Sequence, residues 1–344
     1  MKKTILFVML AVMATSVAFA QKPYTVAFYN IENVFDLHND PDTHDDEFTP
    51  EGEKQWNQYK YDHKMKNIER VLFDLASIQR DYPIVIGLSE LENRSVLEEI
   101  VALPKLAPAK YRICHYDSPD ARGIDCSFIY RADVFKLEGS DNIKLVVPGE
   151  PDFRTRDLVV MWGTIEGEPF YFLVSHWPSR RGGQFGSAHL REACASQIKA
   201  LKDSVLAKNP ATKFIAMGDF NDDATDASIV EVMGAKGKIK DLKSGDFFNP
   251  FNAMLRAGLG TLAYQDSWNL FDNICVTENL VTGSHGELKL QRAPKSKFYG
   301  NIFSRPYMIQ QEGQYKGYPL RTFVGNNFQN GFSDHLPVYI YIGK

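Results

Sequence analysis

The sequence predicts one large α/β domain running from about Tyr24 to Lys344. Two kinds of periodicity and one absence point there. Short apolar runs rich in Val, Ile, Phe and Tyr end in polar tips, two longer segments carry apolar residues at helical spacing, and no Gly-, Ser- or Pro-rich stretch looks like a linker. A chain of 344 residues can bury a large core without staples, and 44% hydrophobic with 24% charged residues excludes a disordered or low-complexity protein. The formal net charge of -4 excludes a protein that coats nucleic acid by charge alone.

The first twenty residues read as a signal peptide. Lys2 and Lys3 precede an apolar run from Ile5 to Val12, and Ala18-Phe19-Ala20 supplies small residues two apart. The run is shorter than the ~20 residues that a bilayer span requires. Cleavage is expected before Gln21, leaving a domain at 22–344 with net charge -6, exported to the periplasm or the extracellular space without a membrane anchor. Export would expose Cys114, Cys126, Cys194 and Cys275 to oxidant, but their low density and strand-like surroundings favour buried free thiols.

Strands are expected at Tyr24–Tyr29, Pro83–Leu88, Cys126–Tyr130, Val159–Ile165, Phe170–Val174, Phe214–Met217, Ile274–Val276 and Leu336–Ile342. Helices are expected within Tyr59–Ala76, through Met65, Ile68, Val71, Leu72 and Leu75, and within His189–Leu206. The acidic stretch before the first helix, with Asp40, Asp42, Asp45, Asp46 and Glu47, lacks the Gly and terminal Glu of an EF-hand. It reads as a solvated loop that caps the helix.

Chemistry collects at the strand tips. Four apolar runs end in Asn30-Ile31-Glu32-Asn33, Ser89-Glu90-Leu91-Glu92-Asn93, Ser175-His176-Trp177 and Gly218-Asp219-Phe220-Asn221, and Ser333-Asp334-His335 precedes the last strand. Strands of a common sheet can deliver such tips to one edge. Carboxylates and carboxamides suit Mg²⁺ or Mn²⁺, and imidazoles suit proton transfer or phosphate contact. Each tip alone could be an ordinary turn, since Asp, Asn, Gly and Ser are turn formers. Five tips of matching chemistry argue for a site.

At these residues the sequence resembles the endonuclease/exonuclease/phosphatase superfamily, with its DNase I-like fold. The resemblance runs from FYNIEN to SDHLPV in family order, and it is nearest to secreted bacterial members through SELEN, RGID, SHWPSR and GDFND. It implies a four-layer α/β sandwich, two mixed central sheets packed face to face with helices outside. It also implies a Mg²⁺-dependent phosphoric ester hydrolase, with Mn²⁺ as an alternative ion. By motif, Glu90 resembles the principal metal ligand with Asn30 and Glu32 beside it, and Asp334 an occasional second ligand. Asp219 and Asn221 resemble the pair that orients the attacking water and holds a phosphate oxygen. His335 resembles the imidazole at the scissile phosphate, with Asp272 as its carboxylate partner. His176 stands where secreted DNases and phosphatases carry His. Asn273 stands where many relatives carry Tyr or His, and Asp125 of RGID receives no role.

Arg180 and Arg181, just after SHWP, are placed to bind phosphate. Seven basic against two acidic residues lie between Glu287 and Arg321, interleaved with aromatics. They could grip nucleic acid, or they could be the solvated face of a strand pair. The expected function is a monomeric secreted nuclease of low sequence specificity. The alternatives are hydrolysis of inositol phosphates or sphingomyelin, and an inactive binding protein on the same fold.

Overall fold

The computed structural model describes residues 22–344, and the expected signal segment lies outside them. Seventeen strands occur in chain order. β1 (Tyr24–Val34), β2 (Val85–Leu91), β3 (Tyr111–His115) and β4 (Asp125–Arg131) come first, followed by β5 (Phe135–Ile143), β6 (Leu158–Ile165), β7 (Glu168–His176) and β8 (Lys213–Asp219). The rest are shorter: β9 (Phe247–Phe248), β10 (Leu262–Tyr264), β11 (Ser267–Asn269), β12 (Asp272–Thr277), β13 (Lys289–Gln291), β14 (Gly300–Ile302), β15 (Phe323–Val324), β16 (Asn327–Phe328) and β17 (Val338–Gly343). The main helices are α1 (Gln58–Ser77), α2 (Arg94–Ala102) and α3 (Ala188–Lys208). No helix among the described residues is long and apolar enough to cross a membrane.

Two mixed sheets form the centre. One has the order β13-β17-β1-β2-β4-β3, with β14 also on β17, and the other has the order β5-β6-β7-β8-β12-β9. Each contains one parallel pair joined through a helix: β1 and β2 through α1, β7 and β8 through α3. The other neighbours in both sheets are antiparallel.

The alternation of side chains along each strand divides the core into three layers. Ala27, Tyr29, Ile86 and Leu88 meet Met65, Ile68 and Leu72 of α1 and Leu97 of α2. Val26, Phe28, Val85 and Phe128 turn the other way and meet Phe172, Val174, Ile215 and Met217 of the second sheet. The far face of that sheet, with Leu173, Phe214 and Ala216, packs on Cys194, Ala195 and Ile198 of α3. This is the expected order of helix, sheet, sheet, helix. All four cysteines are buried free thiols, and burial pushes each thiol pKa up.

The acidic loop ends as expected: Asn57 caps α1 by accepting from Lys60 N. The basic-aromatic segment is built partly of short strands. β13 and β14 pair with β17, Phe303 is buried, and Arg292, Lys297 and Arg305 lie over the rings of Tyr299, Phe298 and Phe303.

Two glycines allow the close approaches that bring the sheets to register. A Cβ on Gly87 would lie 2.7 Å from Met217 Sδ, across the inter-sheet core. A Cβ on Gly218 would lie 1.9 Å from the carbonyl oxygen of Ser175 on the paired strand. Backbone cannot yield as a flexible thioether can. Gly218→Ala is therefore expected to cost about 1–3 kcal/mol or more, and Gly87→Ala less. Urea denaturation of both variants measures the difference, and equal midpoints would contradict this account.

Candidate active site

The polar tips meet at one edge because both parallel pairs end there. Asn30 and Glu90 lie at the carboxyl ends of β1 and β2, and His176 and Asp219 at those of β7 and β8, where open α/β sheets tend to place ligands. The antiparallel neighbours contribute from their beginnings. Asp272 opens β12 directly opposite Asp219, and His335 precedes β17 beside β1.

Local backbone conformation aims these groups. Glu32, Asn33, Glu90 and Asn221 all adopt positive φ, between 48° and 64°. Such residues cost about 1–3 kcal/mol each unless their surroundings hold them. Hydrogen bonds do so here: Asn33 N donates to Glu90 Oε2 at 3.1 Å, and Asn221 N to Asp219 Oδ1 at 2.9 Å. Bulges in β1 and β2 accompany the turn of the chain.

Asp219 is the hub. Its Oδ2 accepts from Asn30 Nδ2 at 3.1 Å and lies 3.5 Å from His176 Nε2 and 3.6 Å from His335 Nε2. Asn30 Nδ2 also donates to Glu90 Oε1 at 3.1 Å, and Glu90 Oε1 is 3.9 Å from His176 Nε2. Burial pushes the Asp219 pKa up to about 6, with His335 opposing the rise and Asp272 adding to it.

The two imidazoles differ in charge. Burial acts to lower the pKa of His335, but Asp272 at 2.8 Å from Nδ1 and Asp219 near Nε2 outweigh it and hold the ring protonated. Burial also lowers the pKa of His176, and there Arg156, Arg122 and His335 add to the fall, so that ring is neutral. Groups pushed apart in this way mark acid and base roles. Trp177 steadies the second tip: it stacks on Phe220 at 4.3 Å, its indole donates to Ser175 Oγ, and its carbonyl accepts from Asn221 and Arg156.

Several expected residues are directed elsewhere. Glu32 does not stand beside Glu90: its carboxylate accepts from Thr322 N at 2.6 Å and faces Arg321 and Lys64. The left-handed turn at Glu32 and the buried Lys64 together draw it away from the reaction centre. Asp334 is paired with Arg321 Nη2 at 2.9 Å. Arg180 is engaged by Asp222, Asp223 and Asp226, donates to the carbonyl of Asn221 and covers the ring of Phe271. It therefore braces the Asp219–Asn221 turn, in place of the expected contact with phosphate. Arg181 is exposed. Asn273 is buried and donates to the carbonyls of Leu270 and Phe271, pinning the turn before Asp272. Asp125 pairs with His115 at 3.0 Å and accepts from Ser118 N.

Sequence reasoning passed over two cations. Lys64 reads as one polar member of a helical pattern, yet it is buried and donates to Thr322 Oγ1 and the carbonyl of Phe332, which holds the loops before Ser333. Arg122 belongs to RGID. It is 45% exposed and only 3.8 Å from Asp120, while its charge is felt at His176. By contrast, Arg156, Arg180, Arg191 and Arg321 have closer carboxylate partners.

The donor set suits a hard divalent cation. Glu90 offers a carboxylate fixed by Asn30 Nδ2 and Asn33 N, and Asp272 Oδ1 is buried without a hydrogen-bond partner. Asp219, Asp272 and His335 also lie close enough to share an ion. Glu90, whose carboxylate is 3.9 Å from His176, offers a further oxygen donor at the same edge.

Two facing mixed sheets, whose parallel pairs deliver carboxylates and whose antiparallel neighbours deliver an acid-paired imidazole to the same edge, are the framework of a metal-dependent phosphoric ester hydrolase. The chain belongs to the Endonuclease/Exonuclease/phosphatase family, which it matches over residues 25–344. No curated protein sequence matches it. Among solved structures, D. rerio TDP2 complexed with single strand DNA product is similar in fold at TM-score 0.55 and 13% identity, covering 94% of this chain and 100% of that one. The mannosyl-6-phosphatase Bt3783 of Bacteroides thetaiotaomicron gives 0.54 and 16%, covering 93% and 99%. The human Nocturnin catalytic domain gives 0.52 and 14%, covering 94% of each chain.

Asp272→Asn retains the shape of the His335 partner but removes its charge. Loss of kcat on any hydrolysed ester by about 10²–10⁴-fold is expected. Adding His335→Ala should cost little more, because groups acting as a unit are not additive. Fully additive losses in steady-state kinetics would show that the two act separately.

Proposed function

We propose that the protein is an exported, Mg²⁺-dependent hydrolase that cleaves phosphate esters by direct attack of water. One observation carries the reading: buried Asp219 stands 3.5 Å from His176 and 3.6 Å from His335, and His335 is paired with Asp272 at 2.8 Å. Export rests on Lys2, Lys3 and the apolar run that follows them.

Asp219, pushed up to about 6 by burial, is a base strong enough to take a proton from water near neutral pH. Asn221, carried on the same turn, would hold a phosphoryl oxygen. The water oxygen bonds to phosphorus as the bond to the leaving oxygen breaks, the water proton passes to Asp219, and the leaving oxygen departs as an alcohol after taking a proton from solvent. His335 supplies a fixed positive charge to the phosphoryl oxygens, and Arg122 a second one from the rim. A divalent cation held by Glu90, with Asn30 beside it, would polarise a phosphoryl oxygen and neutralise the leaving oxyanion when bound.

Compact esters are the favoured substrates. Arg180 and Arg321 are neutralised by carboxylates, so the rim offers few free cations to follow a polyanion. A concave pocket lined in part by Asp334 is present as well. The name of Bt3783 records a phosphatase with this fold. Cleavage of DNA or RNA with low sequence specificity is the second reading. It has support from exposed Arg181, Phe185 and Trp268, which could meet phosphates and stack bases, and from the fold shared with the DNA-bound TDP2.

Glu90→Gln is expected to weaken Mg²⁺ binding in a calorimetric titration while the thermal transition stays cooperative. Wild-type affinity in that variant would move the metal away from Glu90. Arg122→Ala should raise KM about tenfold, a loss of roughly 1.4 kcal/mol. Arg180→Ala should mainly lower stability. A large KM change for Arg180→Ala and none for Arg122→Ala would reverse these assignments.

A further inference from the structure

A pocket of about 440 Å³, within the range of small-molecule sites, is left unused by the chemistry above. The β10–β11 hairpin lines one side, and the segment 310–321 with the β15–β16 hairpin that follows it lines the other. Its floor reaches Arg321 and Asp334. Asp334 is the immediate neighbour of His335, and Leu336 N donates to the carbonyl of Thr261 at the base of the β10–β11 hairpin. The pocket therefore lies beside the reaction centre, near enough that the charge of Asp334 acts on His335 and that of Glu90 on Arg321.

The wall is built. Gln265 and Asp266 form a tight hairpin turn with φ of 48° and 59°. Tyr318 Oη accepts from Asp266 N at 2.6 Å and donates to Asp266 Oδ1 at 2.7 Å, strapping the hairpin to the segment opposite. Tyr264 at the mouth remains 65% exposed and Tyr315 40%, which is costly for large rings with nothing to cover them.

The lining chemistry is specific. Gln265, Gln310, Gln314 and Gln329 bring four carboxamides into the pocket, and Asp266 and Asp334 bring carboxylates. The one cation there, Arg321, already faces Glu32 and Asp334. A polyanion would meet two carboxylates and no free positive charge, whereas a ring with many hydroxyls would meet acceptors, donors and aromatic faces. A nucleobase prefers parallel plates, but Tyr315 and Tyr318 are tilted by 52°.

We propose that this pocket binds the neutral, polyhydroxylated leaving group of the substrate, a sugar ring whose phosphate extends past Asp334 to Asp219 and His335. The proposal rests on the phosphate-ester reading above and names its substrate class: sugar monophosphates.

The test uses Tyr264→Ala combined with Gln314→Ala, two exposed positions whose loss the fold tolerates, with circular dichroism as a check. Glucose 6-phosphate and its epimers, a nucleoside 5′-monophosphate, linear DNA and p-nitrophenyl phosphate are compared with Mg²⁺ present. The wild type should favour a hexose phosphate over p-nitrophenyl phosphate, and the double variant should reduce that preference by about tenfold or more through KM. Calorimetric titration of the same hexose phosphates into metal-free protein supplies a readout independent of turnover, and the variant should lose that binding. If no ester is hydrolysed but hexose phosphate binds the wild type and not the variant, the pocket assignment stands and the catalytic reading falls. Hydrolysis of p-nitrophenyl phosphate without any hexose preference overturns the pocket assignment alone. A variant that instead loses nucleotide or DNA turnover would make the pocket a nucleoside subsite and overturn the sugar proposal.

Discussion

The hydrogen bond from Asn30 to Asp219 joins the two sheets at the edge where the reaction centre forms. Asn30 belongs to β1 and Asp219 to β8, so their 3.1 Å separation exists only while the sheets are packed face to face in one register. The same amide reaches Glu90, and the carbonyl of Asn30 accepts from Ser333 Oγ, whose neighbours carry Asp334 and His335. A shift of one sheet over the other would part the carboxylates from the imidazoles at once. Buried polar groups without partners are costly, so this network also opposes such a shift.

Charge is arranged around that bond in two shells. At the centre, Asp272 and Asp219 raise the pKa of His335 against the effect of burial, and burial, with Arg156 and Arg122, lowers that of His176. Farther out, Arg180 and Arg191 meet Asp222, Lys64 and Arg321 meet Glu32, and Arg156 meets Asp120. The outer pairs fix loops, whereas Arg122 is held more loosely, 3.8 Å from Asp120 and 45% exposed. This division explains why residues with similar sequence credentials, such as Arg122 and Arg180, receive different structural positions.

The left-handed backbone at Glu32, Asn33, Glu90 and Asn221 is the local strain that this arrangement carries. Glu32, Asn33 and Glu90 lie in the last residues of β1 and β2, and Asn221 just past β8, strands that are buried along most of their length. The strands are rigid, so the turns are held to conformations a free loop would leave, and polar groups are presented with little freedom. That is the structural meaning of apolar runs ending in dense polar tips.

The sequence by itself determined the element types near the centre, the two helices, the buried state of the cysteines and the edge at which Asn30, Glu90, His176, Asp219 and His335 gather. Those features depend on local periodicity and on strands with two apolar faces, which a single chain displays directly, whereas Asp272 was reached only through the family resemblance. Edge strands β3 and β5 escaped notice because one face of each is partly exposed and their apolar signal is weak. Side-chain partners were decided by the tertiary structure alone. Nothing near Glu32 in sequence shows that Lys64 and Thr322 will claim its carboxylate, and nothing near Arg180 shows that Asp226 lies within 2.6 Å. Charges pair through space across loops separated by tens or hundreds of residues, so their partners are settled only when the sheets and loops have closed around them.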